Sequence, residues 1–493
     1  MACCFHYAGD VMAPNSFSWS IALSRFGLGA RPGDGARKGD AREALWAELA
    51  APGAADLQVA SLRSSQEILA AVFEQDRRDN ERKEQEGVAR FLTTQMPEPN
   101  VAAILLPSAP LSVSAMAPDR REPRLDDLAY QADATARFVR ASTVEIGFVE
   151  RLVAFWSNHF CVSAAKGSLD KAAAGAFERE AIRPHTLGRF ADMLRAVEQH
   201  PAMLSFLDNA QSAGPNSQFG HERGGGLNEN LAREILELHT MGVGSGYTQA
   251  DVTQLAYILT GWSIGGRYGR SGEPGAFAFD ERAHEPLAAA VRGRLYLQEG
   301  VQQGEAALDD LAREPATARH VGFKLARHFV ADDPPPALVE RLAKTFQDSD
   351  GDLRAVSQTL VDSEEAWRAP RSKLRNPWEF SVAAWRAFGR DLDDVRPALN
   401  ALNLLGQPLW RPPGPNGFAD VSDAWLTPEG LKIRVEFAIA FARGVKGLPR
   451  PSELIDDILG PDASPASRET ILRAESAEQT YALLMLAPEF QRR

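Results

Sequence analysis

Acidic, amide and histidine side chains are concentrated between residues 150 and 285 of the chain, beside stripes of apolar residues. The densest run is 228–240, with the sequence Asn-Glu-Asn-Leu-Ala-Arg-Glu-Ile-Leu-Glu-Leu-His-Thr. At about 100° per residue of an α-helix, several polar side chains of this run share one face next to the apolar stripe. They are Glu229, Asn230, Arg233, Glu234 and Glu237. The pattern predicts a polar helix face that adjoins the protein core.

Two carboxylates on this face are candidates for catalysis or metal binding. Glu234 and Glu237 are close in sequence and share the face with the amide of Asn230. Carboxylate and amide oxygens bind divalent cations, and a carboxylate beside apolar side chains can act as a general base. Arg233 on the same face is a candidate anion clamp. The alternative is a structural ladder, because Arg233 lies one helical turn from both Glu229 and Glu237.

Two histidines are candidate metal ligands, with Glu234 as the third member of the set. His239 lies about 140° around the helix from Glu234, so its partners must come from another helix. His159 ends an apolar stripe at helical spacing, which is also typical of a histidine satisfied within the core. The residues predict an interhelical pocket in which the histidines bind metal or carry protons, with a divalent metal as the candidate cofactor.

Further polar residues of the same block are candidate binding residues. They are Asn158, His200, Asp208, Asn209 and Asn228. His200 stands before a proline at a helix break, and the Asp208-Asn209 pair closes the apolar run that follows. Because Asp and Asn side chains cap helices well, capping is the alternative interpretation for His200 and for that pair.

Several familiar motifs are absent or incomplete. The chain has no phosphate-binding G-x-x-x-x-G-K, no dinucleotide-binding G-x-G-x-x-G and no zinc-binding H-E-x-x-H. Gly261-Trp-Ser-Ile-Gly265 matches the G-x-S-x-G of serine hydrolases, but a capped helix precedes it where that motif needs a strand. The run that starts at Asp348 resembles the beginning of a calcium loop, but it has Leu353 at the sixth position, where the loop needs glycine, and Thr359 at the twelfth, where it needs glutamate. His320, Lys324 and His328 form a basic stripe, which we interpret as pairing with nearby carboxylates rather than with an acidic partner or substrate.

Composition limits the class of protein and of partner. The 493 residues carry a net charge of −12, which repels phosphate, so we expect no nucleic-acid partner. No apolar run is long enough to predict a transmembrane helix. Cys3, Cys4 and Cys161 make no disulfide framework, and the first residues lack the pattern of a signal peptide. We therefore expect a cytoplasmic protein, with Met12 as an alternative start.

Most of the chain spaces its apolar residues as a helix does, which predicts a mainly α, multi-helix domain with long Pro/Gly-rich loops. Thr248 and Asp251 form a capping box that predicts a helix start. Phe277–Phe279 and Leu295–Leu297 predict at most a small β-hairpin. The expected segments are an N-terminal helical segment (1–95), a Pro-rich arm or loop (96–125), a central helical core with the polar block (126–300) and a C-terminal helical region (301–493), together one domain over about 16–450.

Four motifs carry a resemblance to a known family. They are Phe155-Trp-Ser-Asn-His-Phe160, the run 228–262, Lys324-Leu-Ala-Arg-His-Phe329 and Gly406-Gln-Pro-Leu-Trp-Arg-Pro-Pro413. Through them the chain resembles the bacterial domain-of-unknown-function family 1800 over most of its length. That family usually has His-Asp where this chain has His284-Glu285, and often has His in place of Ser157. These departures weaken any metal site that needs those residues.

The resemblance implies a mainly helical protein without a settled activity. Genes of the family commonly neighbour a sulfatase-like family, domain-of-unknown-function family 1501, and many members look exported. A periplasmic or exported location is therefore the alternative to the cytoplasm. The first functional hypothesis is an enzyme of unknown reaction whose His/Glu/Asn-rich pocket holds a divalent metal. The alternative is a non-catalytic accessory or binding protein that works with a sulfatase-like partner.

Overall fold

The computed structural model describes residues 18–57, 59, 61–95, 124–223, 226–389, 392, 394–445, 451–461 and 463–493. The predicted Pro-rich arm lies outside these residues except at its last two positions, and so do Cys3, Cys4 and Met12. Helices dominate the described part of the chain, which confirms the prediction of a mainly α fold. None of the helices described is long and apolar enough to cross a membrane.

The α-helices of the first half of the chain lie before a short β region. They are α1 (Trp19–Ile21), α2 (Ala41–Ala50), α3 (Ser65–Gln95), α4 (Leu125–Thr143), α5 (Phe148–His159), α6 (Ser168–Phe177), α7 (Phe190–Glu198), α8 (Pro201–Phe206), α9 (Gln218–Arg223), α10 (Asn230–Glu234) and α11 (Gln249–Ile258). Among the residues described in this half, π-helical turns interrupt the series at Ala22–Phe26, Glu178–Ile182 and Ile235–His239. The 3₁₀ turns of this half are Asp34–Ala36, Arg183–His185 and Asn209–Gln211.

The second half of the chain is helical as well. Its helices are α12 (Val301–Arg313), α13 (Pro315–Phe329), α14 (Pro336–Asp348), α15 (Leu353–Asp362), α16 (Glu364–Arg368), α17 (Pro377–Phe388), α18 (Arg396–Leu404), α19 (Pro428–Ala442), α20 (Pro451–Ile458), α21 (Pro465–Leu472), α22 (Ala477–Leu486) and α23 (Pro488–Gln491). The 3₁₀ turns of this half are Glu281–Ala283 and Ser422–Ala424. Several helices begin with proline at their first position, where the missing N–H costs no hydrogen bond.

The described strands form two separate antiparallel pairs. β1 (Trp262–Ile264) pairs with β2 (Phe277–Phe279), and β3 (Ala289–Val291) pairs with β4 (Arg294–Tyr296). The two segments predicted as strands therefore do form strands, but they do not pair with each other as one hairpin. Each instead pairs with a short neighbour, β1 or β3, which has too few alternating residues to indicate a strand.

Local capping chemistry fixes the helices as the sequence indicates. Thr248 and Asp251 form the predicted capping box at the start of α11. Asn376 and Glu379 form a second one at the start of α17, which Pro377 opens. Asp352 caps α15 by accepting hydrogen bonds from two backbone N–H groups, so the acidic run before α15 serves to start a helix.

One cluster of buried apolar residues extends from Ala22 to Phe490. Aromatic rings from three regions meet at its centre. Phe148 of α5 and Phe329 of α13 lie 5.3 Å apart, between ring centroids, and both contact Phe26 of the first π-turn. This packing places α5 beside α13.

The final residues of the sequence lie inside the structure. Arg493 donates its backbone N–H to the carbonyl of Lys373, and Arg375 donates its own to the carbonyl of Gln491. The Arg493 side chain is 1 % exposed. It reaches Glu379 in the first turn of α17, so the chain end, α13 and α17 share one buried polar network.

Candidate functional site

A cavity of about 210 Å³ lies between α5, α13, the start of α17 and the loop over 405–421 that follows α18. Its apolar walls are mostly aromatic. The main apolar lining residues are Phe155, Val162, Trp378, Leu409, Trp410 and Phe418. The cavity reaches the surface at Asn416 and Ala419, which line its rim and are not fully buried. Polar side chains enter it from α5 and α13, so it has an apolar body and a polar wall.

Lys324 is the central polar residue of this wall. It lies in the middle of α13, and its Nζ donates to Nδ1 of His159 across 2.8 Å. No carboxylate of the described residues lies within ion-pair distance of this amine, which leaves two donor positions of an ammonium without a protein partner. Burial lowers the pKa of Lys324 to about 8 although the negative charge of Asp420 opposes this shift, so a neutral fraction exists near physiological pH.

His159 is a buried neutral partner for that amine. Its Nε2 lies 3.1 Å from the carbonyl oxygen of His239, which can only accept, so Nε2 carries the proton. The other ring nitrogen, Nδ1, is then free to accept from Lys324. Burial, together with the charge of Lys324, lowers the pKa of His159 well below its ordinary value. Both nitrogens of the ring are thus occupied by protein groups.

Arg327 lies one turn further along α13 and also lines the cavity. Its Nε donates to the carbonyl of Asp332 at 3.1 Å, and the guanidinium packs 4.3 Å from the Phe323 ring centroid. The two terminal nitrogens have no hydrogen-bond partner among the described residues. Arg137, by contrast, pairs with Glu178 at 3.0 Å, so its charge is compensated within the protein.

The carboxylates that line the cavity, Glu379 and Asp420, each have basic side chains of the protein as partners. Glu379 contacts Arg151 at 3.1 Å and Arg493 at 2.7 Å. Burial alone would raise the pKa of Glu379, but these two guanidinium groups lower it to about 2. Asp420 contacts Lys373 at 3.1 Å and accepts from His328 at 2.9 Å. Despite burial, these partners hold the pKa of Asp420 far below its ordinary value.

His328 completes the network behind the cavity. Arg151 can only donate, so Nε2 of His328, 3.1 Å from it, must accept and Nδ1 must carry the proton that faces Asp420. Burial lowers the pKa of His328 to about 4, which is consistent with this neutral form. The uncompensated charge at the cavity is therefore positive and comes from Lys324 and Arg327, which favours an anionic ligand.

Cys161 lines the cavity without the properties of a nucleophile. Its thiol donates to the backbone carbonyls of Gly414 and Pro415, at 3.5 and 3.3 Å. Burial raises the pKa of this thiol to about 12, so the thiolate form is not populated near neutral pH. Cys161 instead helps to hold the loop that closes the cavity.

The loop wall is fixed by several side chains that bind its backbone. Asn158 donates to the carbonyl of Phe418 at 2.9 Å and accepts from its N–H at 2.8 Å. Tyr130 donates to the carbonyl of Leu409 at 2.7 Å. Within the loop, Trp410 has a φ of 46°, a left-handed conformation that is strained for a residue with a bulky side chain. Strain of this kind persists only where surrounding contacts hold the backbone in place.

Replacing Asn158 by alanine is expected to destabilise the protein by about 1–3 kcal/mol, because both backbone groups of Phe418 lose their partner. Amide hydrogen exchange at Phe418 should accelerate more than at the centre of α5. Asn228→Ala is the matched control, since Asn228 also binds two backbone groups, far from the cavity. Equal exchange rates at Phe418 in both variants would contradict the assigned role of Asn158.

The acidic face predicted over 228–240 lies apart from this cavity. Arg233 contacts Glu229 at 3.2 Å and Glu237 at 3.6 Å, which is the ladder expected under the structural alternative. Asn230 is exposed. Glu234 is partly buried, and burial raises its pKa. α10 ends at Glu234 and the chain continues as a π-turn, so α-helical spacing does not extend to the residues that follow.

His239, at the end of that π-turn, takes its partner from another helix. Its Nδ1 lies 2.8 Å from Oε1 of Glu198 at the end of α7. Nε2 of His239 is buried without a hydrogen-bond partner among the described residues. The ring contacts His159, with centroids 6.4 Å apart, but its nitrogens do not reach the cavity lining. His239 therefore supports His159 through its backbone carbonyl.

The residues predicted as metal ligands do not converge. His159 uses both ring nitrogens, and His239 uses one of its two on Glu198. Among the residues that the structure describes, no three His, Cys, Asp or Glu side chains are grouped so that they could hold a metal ion. The donor set of His159, His239 and Glu234 therefore does not form a ligand cage.

The other predicted binding residues make local contacts. His200 caps α8 by accepting from the N–H of Ala202 and faces Glu180 at 3.2 Å. Asp208 pairs with Lys166. The amide of Asn209 donates to two backbone carbonyls, and Asn228 accepts from the backbone N–H of Asn230. Of the predicted binding residues, Asn158 is the one that lines the cavity.

Two further sequence features have structural roles. Ser263 is fully buried and donates to the carbonyl of Ala210 at 2.6 Å, so it is not available as a nucleophile. His284 contacts the carbonyl of Thr260 at 2.8 Å, while Glu285 accepts from the backbone and side chain of Asn216. Ser157 lines the cavity and donates a hydrogen bond to Glu178.

We predicted that the basic stripe of His320, Lys324 and His328 pairs with nearby carboxylates. This holds for one of the three residues only, because Lys324 lines the cavity and contacts His159. His320 faces the carbonyl of Leu238, and His328 is the member of the stripe that pairs with a carboxylate, Asp420. His320, Lys324 and His328 are four residues apart among the small and apolar residues of α13. This spacing places all three on one face of the helix, and it is the sequence signal that could have predicted that this face is directed into the protein. Arg327, Glu379 and Asp420 have no comparable signal.

Comparison with known proteins defines the family but no activity. Neither the curated proteins nor the solved structures compared with this sequence include a match. A family model described as "Protein of unknown function (DUF1800)" matches residues 21–492, nearly the whole chain. The chain therefore belongs to the DUF1800 family.

Proposed function

We propose that the cavity between α5, α13 and α17 binds a small anionic molecule with an apolar body, and that Lys324 is the reactive group of an enzyme active site. The observation that carries this proposal is the amine of Lys324, which enters the cavity with one neutral partner and no carboxylate. A charge held in this way is costly to bury unless a ligand uses it.

The shape and charge of the cavity define the class of ligand. Lys324 and Arg327 are three residues apart on α13, so their side chains lie on neighbouring parts of one face. An anionic group between them would receive charge-assisted hydrogen bonds from both. The aromatic walls suit an apolar body, and about 210 Å³ is less than the roughly 300 Å³ or more of typical drug-sized sites. The ligand is therefore a small molecule rather than a peptide or a nucleotide.

The amine is suited to acid–base chemistry at physiological pH. A pKa of about 8 makes both protonation states of Lys324 accessible near neutrality, which is the condition for efficient proton transfer. The hydrogen bond to His159 fixes the direction of Nζ, and His159 is itself fixed by a backbone carbonyl. Perturbed amines in clefts are frequently functional groups.

Calorimetric titration with phenyllactate, an aromatic carboxylate, tests the proposal. Wild-type protein is expected to bind it, and Lys324→Met and Arg327→Met each to weaken binding by at least about tenfold, the equivalent of about 1.4 kcal/mol. Lys344→Met is the matched control, because Lys344 is exposed and pairs only with Asp348. The uncharged 3-phenylpropanol should bind more weakly than phenyllactate. No binding by the wild type, or equal binding by all four proteins, would contradict the proposal.

The metal-assisted form of the enzyme hypothesis has less support. The predicted ligands His159 and His239 already contact protein groups, and Glu234 lies away from the cavity. Elemental analysis of the purified protein beside His159→Ala and His239→Ala tests it directly. Stoichiometric metal that is lost in either variant would establish a metal centre at these histidines, and His159 could then not be the neutral partner of Lys324.

An accessory role beside a sulfatase-like protein is the second candidate, and one surface favours it. α19 exposes Leu431, Val435 and Ile439 at a spacing of four residues, which forms an apolar stripe of the kind that binds a protein partner. The test is co-purification, after crosslinking, with a sulfatase-like protein encoded by a neighbouring gene. Retention by wild type and loss with Val435→Glu would support this role, and no retained partner would contradict it.

A further inference from the structure

We propose that the ligand of this cavity carries a carbonyl group next to its carboxylate, as in a 2-oxo acid, and that Lys324 joins it covalently as an imine. This inference rests on the proposed function, because it assigns the substrate class and the reaction of the same site. It makes Lys324 the catalytic nucleophile of the site.

The contrast with two other lysines of the chain supports this assignment. Lys373 is more deeply buried than Lys324, but it is held by Asp332 at 2.7 Å and by Asp420 at 3.1 Å. Lys166 is held by Asp208 and by two backbone carbonyls. Ion pairs of this kind keep an amine protonated and therefore not nucleophilic. Lys324 has a neutral imidazole in place of a carboxylate, so its lone pair becomes available without breaking an ion pair.

Arg327 supplies the second half of the geometry. A carboxylate bound by its free terminal nitrogens would lie one helical turn from Lys324, on the same face of α13. In a 2-oxo acid the carbonyl carbon is bonded directly to the carboxylate carbon, so binding of the carboxylate brings the carbonyl next to the amine. The apolar walls formed by Trp378, Leu409 and Phe418 surround the rest of the molecule and limit the access of water to the imine.

The chemical step balances without an added oxidant or reductant. The neutral Nζ of Lys324 donates its lone pair to the carbonyl carbon, and the carbonyl π pair moves to oxygen, which takes the proton released by nitrogen. The resulting carbinolamine then loses its hydroxyl group and one more proton as water, and a carbon–nitrogen double bond forms. The net change is one ketone and one amine converted to one imine and one water.

Reductive trapping with phenylpyruvate tests the inference. The protein is incubated with phenylpyruvate and sodium cyanoborohydride, which delivers hydride to an imine, and is then measured by intact mass and peptide mapping. One reduced adduct per chain is expected, located at Lys324, with a rate that rises as the pH increases through about 8. Lys324→Arg, which keeps the charge, should reduce the yield at least tenfold, and the control Lys344→Arg should leave it unchanged.

The outcomes separate this inference from the proposed function. Phenyllactate lacks the ketone, so it should compete with trapping without forming an adduct. If phenyllactate binds but phenylpyruvate gives no adduct at Lys324, the imine is wrong and the binding site stands. If neither molecule binds, both proposals are wrong. Adducts spread over exposed lysines at the same rate as at Lys324 would also overturn the imine.

Discussion

Replacing Glu379 by glutamine is expected to lower the free energy of unfolding by about 3–5 kcal/mol, because it leaves two buried guanidinium groups without a counter-charge. Glu379 contacts Arg151 through one carboxylate oxygen and Arg493 through the other, at 3.1 and 2.7 Å. Both arginine side chains are 1 % exposed, so water cannot replace the lost charge. The amide of glutamine keeps one acceptor oxygen but no charge, and its NH₂ group faces a guanidinium cation.

Equilibrium unfolding in urea measures this effect, and Glu365→Gln provides the matched control. Glu365 also pairs with an arginine, Arg341, at 3.0 Å, but this pair is partly exposed. Its loss should cost about 0–1 kcal/mol. Similar small losses in both variants would show that the Arg151–Glu379–Arg493 network contributes no more to stability than a surface pair.

The second large effect is the pH dependence of stability caused by Lys324. Its pKa is about 8 in the folded protein against about 10.5 for a free lysine, so the unfolded chain binds more protons between these two pH values. Stability of the wild type therefore rises with pH across this window, by about 3 kcal/mol from Lys324 alone. Lys324→Met removes the contribution, so its stability relative to wild type should be about 3 kcal/mol more favourable at pH 7 than at pH 10.5.

The difference between two pH values isolates the charge from other effects of the substitution. Methionine also leaves Nδ1 of His159 without a donor, but His159 is neutral throughout this range, so that loss is the same at both pH values. Lys344→Met should show no such change, because Lys344 is exposed. A pH-independent difference between Lys324→Met and wild type would show that the amine is not perturbed, and it would remove the main argument for its reactivity.

The buried amine of Lys324 lowers the stability of the folded protein at neutral pH, and we expect ligand binding to depend on it. The amine of Lys324 has His159 as its hydrogen-bond partner and no carboxylate of the described residues within ion-pair distance, while the neighbouring carboxylates Glu379 and Asp420 pair with internal cations. A variant that gains stability and loses ligand binding is the usual result when such a group is removed. Lys324→Met is expected to do both.

The helices are predictable because their signals are local. The apolar stripe of α5, the capping box at Thr248 and the strand character of Phe277–Phe279 depend on residues close in sequence. The pairing of β2 is not predictable, because its partner β1 lies beyond a glycine-rich loop and has three residues, two of them apolar. A strand this short has too little pattern to be recognised before its partner is known.

The candidate site shows the same division between local and long-range information. His159 is identifiable from its position at the end of an apolar stripe, and the structure places it at the cavity. Its partner Lys324 is 165 residues away, so nothing in the local sequence connects the two. The ladder of Arg233 with Glu229 and Glu237 is conspicuous in the sequence because it is dense and local, yet those side chains satisfy one another.

The π-turn at Ile235–His239 explains a further limit of prediction from spacing. A regular α-helix over 228–240 would fix the direction of every side chain. The wider turn begins after Glu234, so the direction of His239 follows from packing against α7 rather than from spacing. The loop that closes the cavity has no periodic pattern, and its contacts with Asn158 and Cys161 form only when α5 and the loop are brought together.

The central claim is that the cavity at Lys324 is a ligand site for a small anion. A crystal structure of the protein grown with saturating phenyllactate tests it most directly. We predict one molecule in the cavity, with its carboxylate oxygens within about 3 Å of Nζ of Lys324 and of a terminal nitrogen of Arg327, and its ring against the aromatic walls. An empty cavity under these conditions, or phenyllactate bound elsewhere on the protein, would contradict the account.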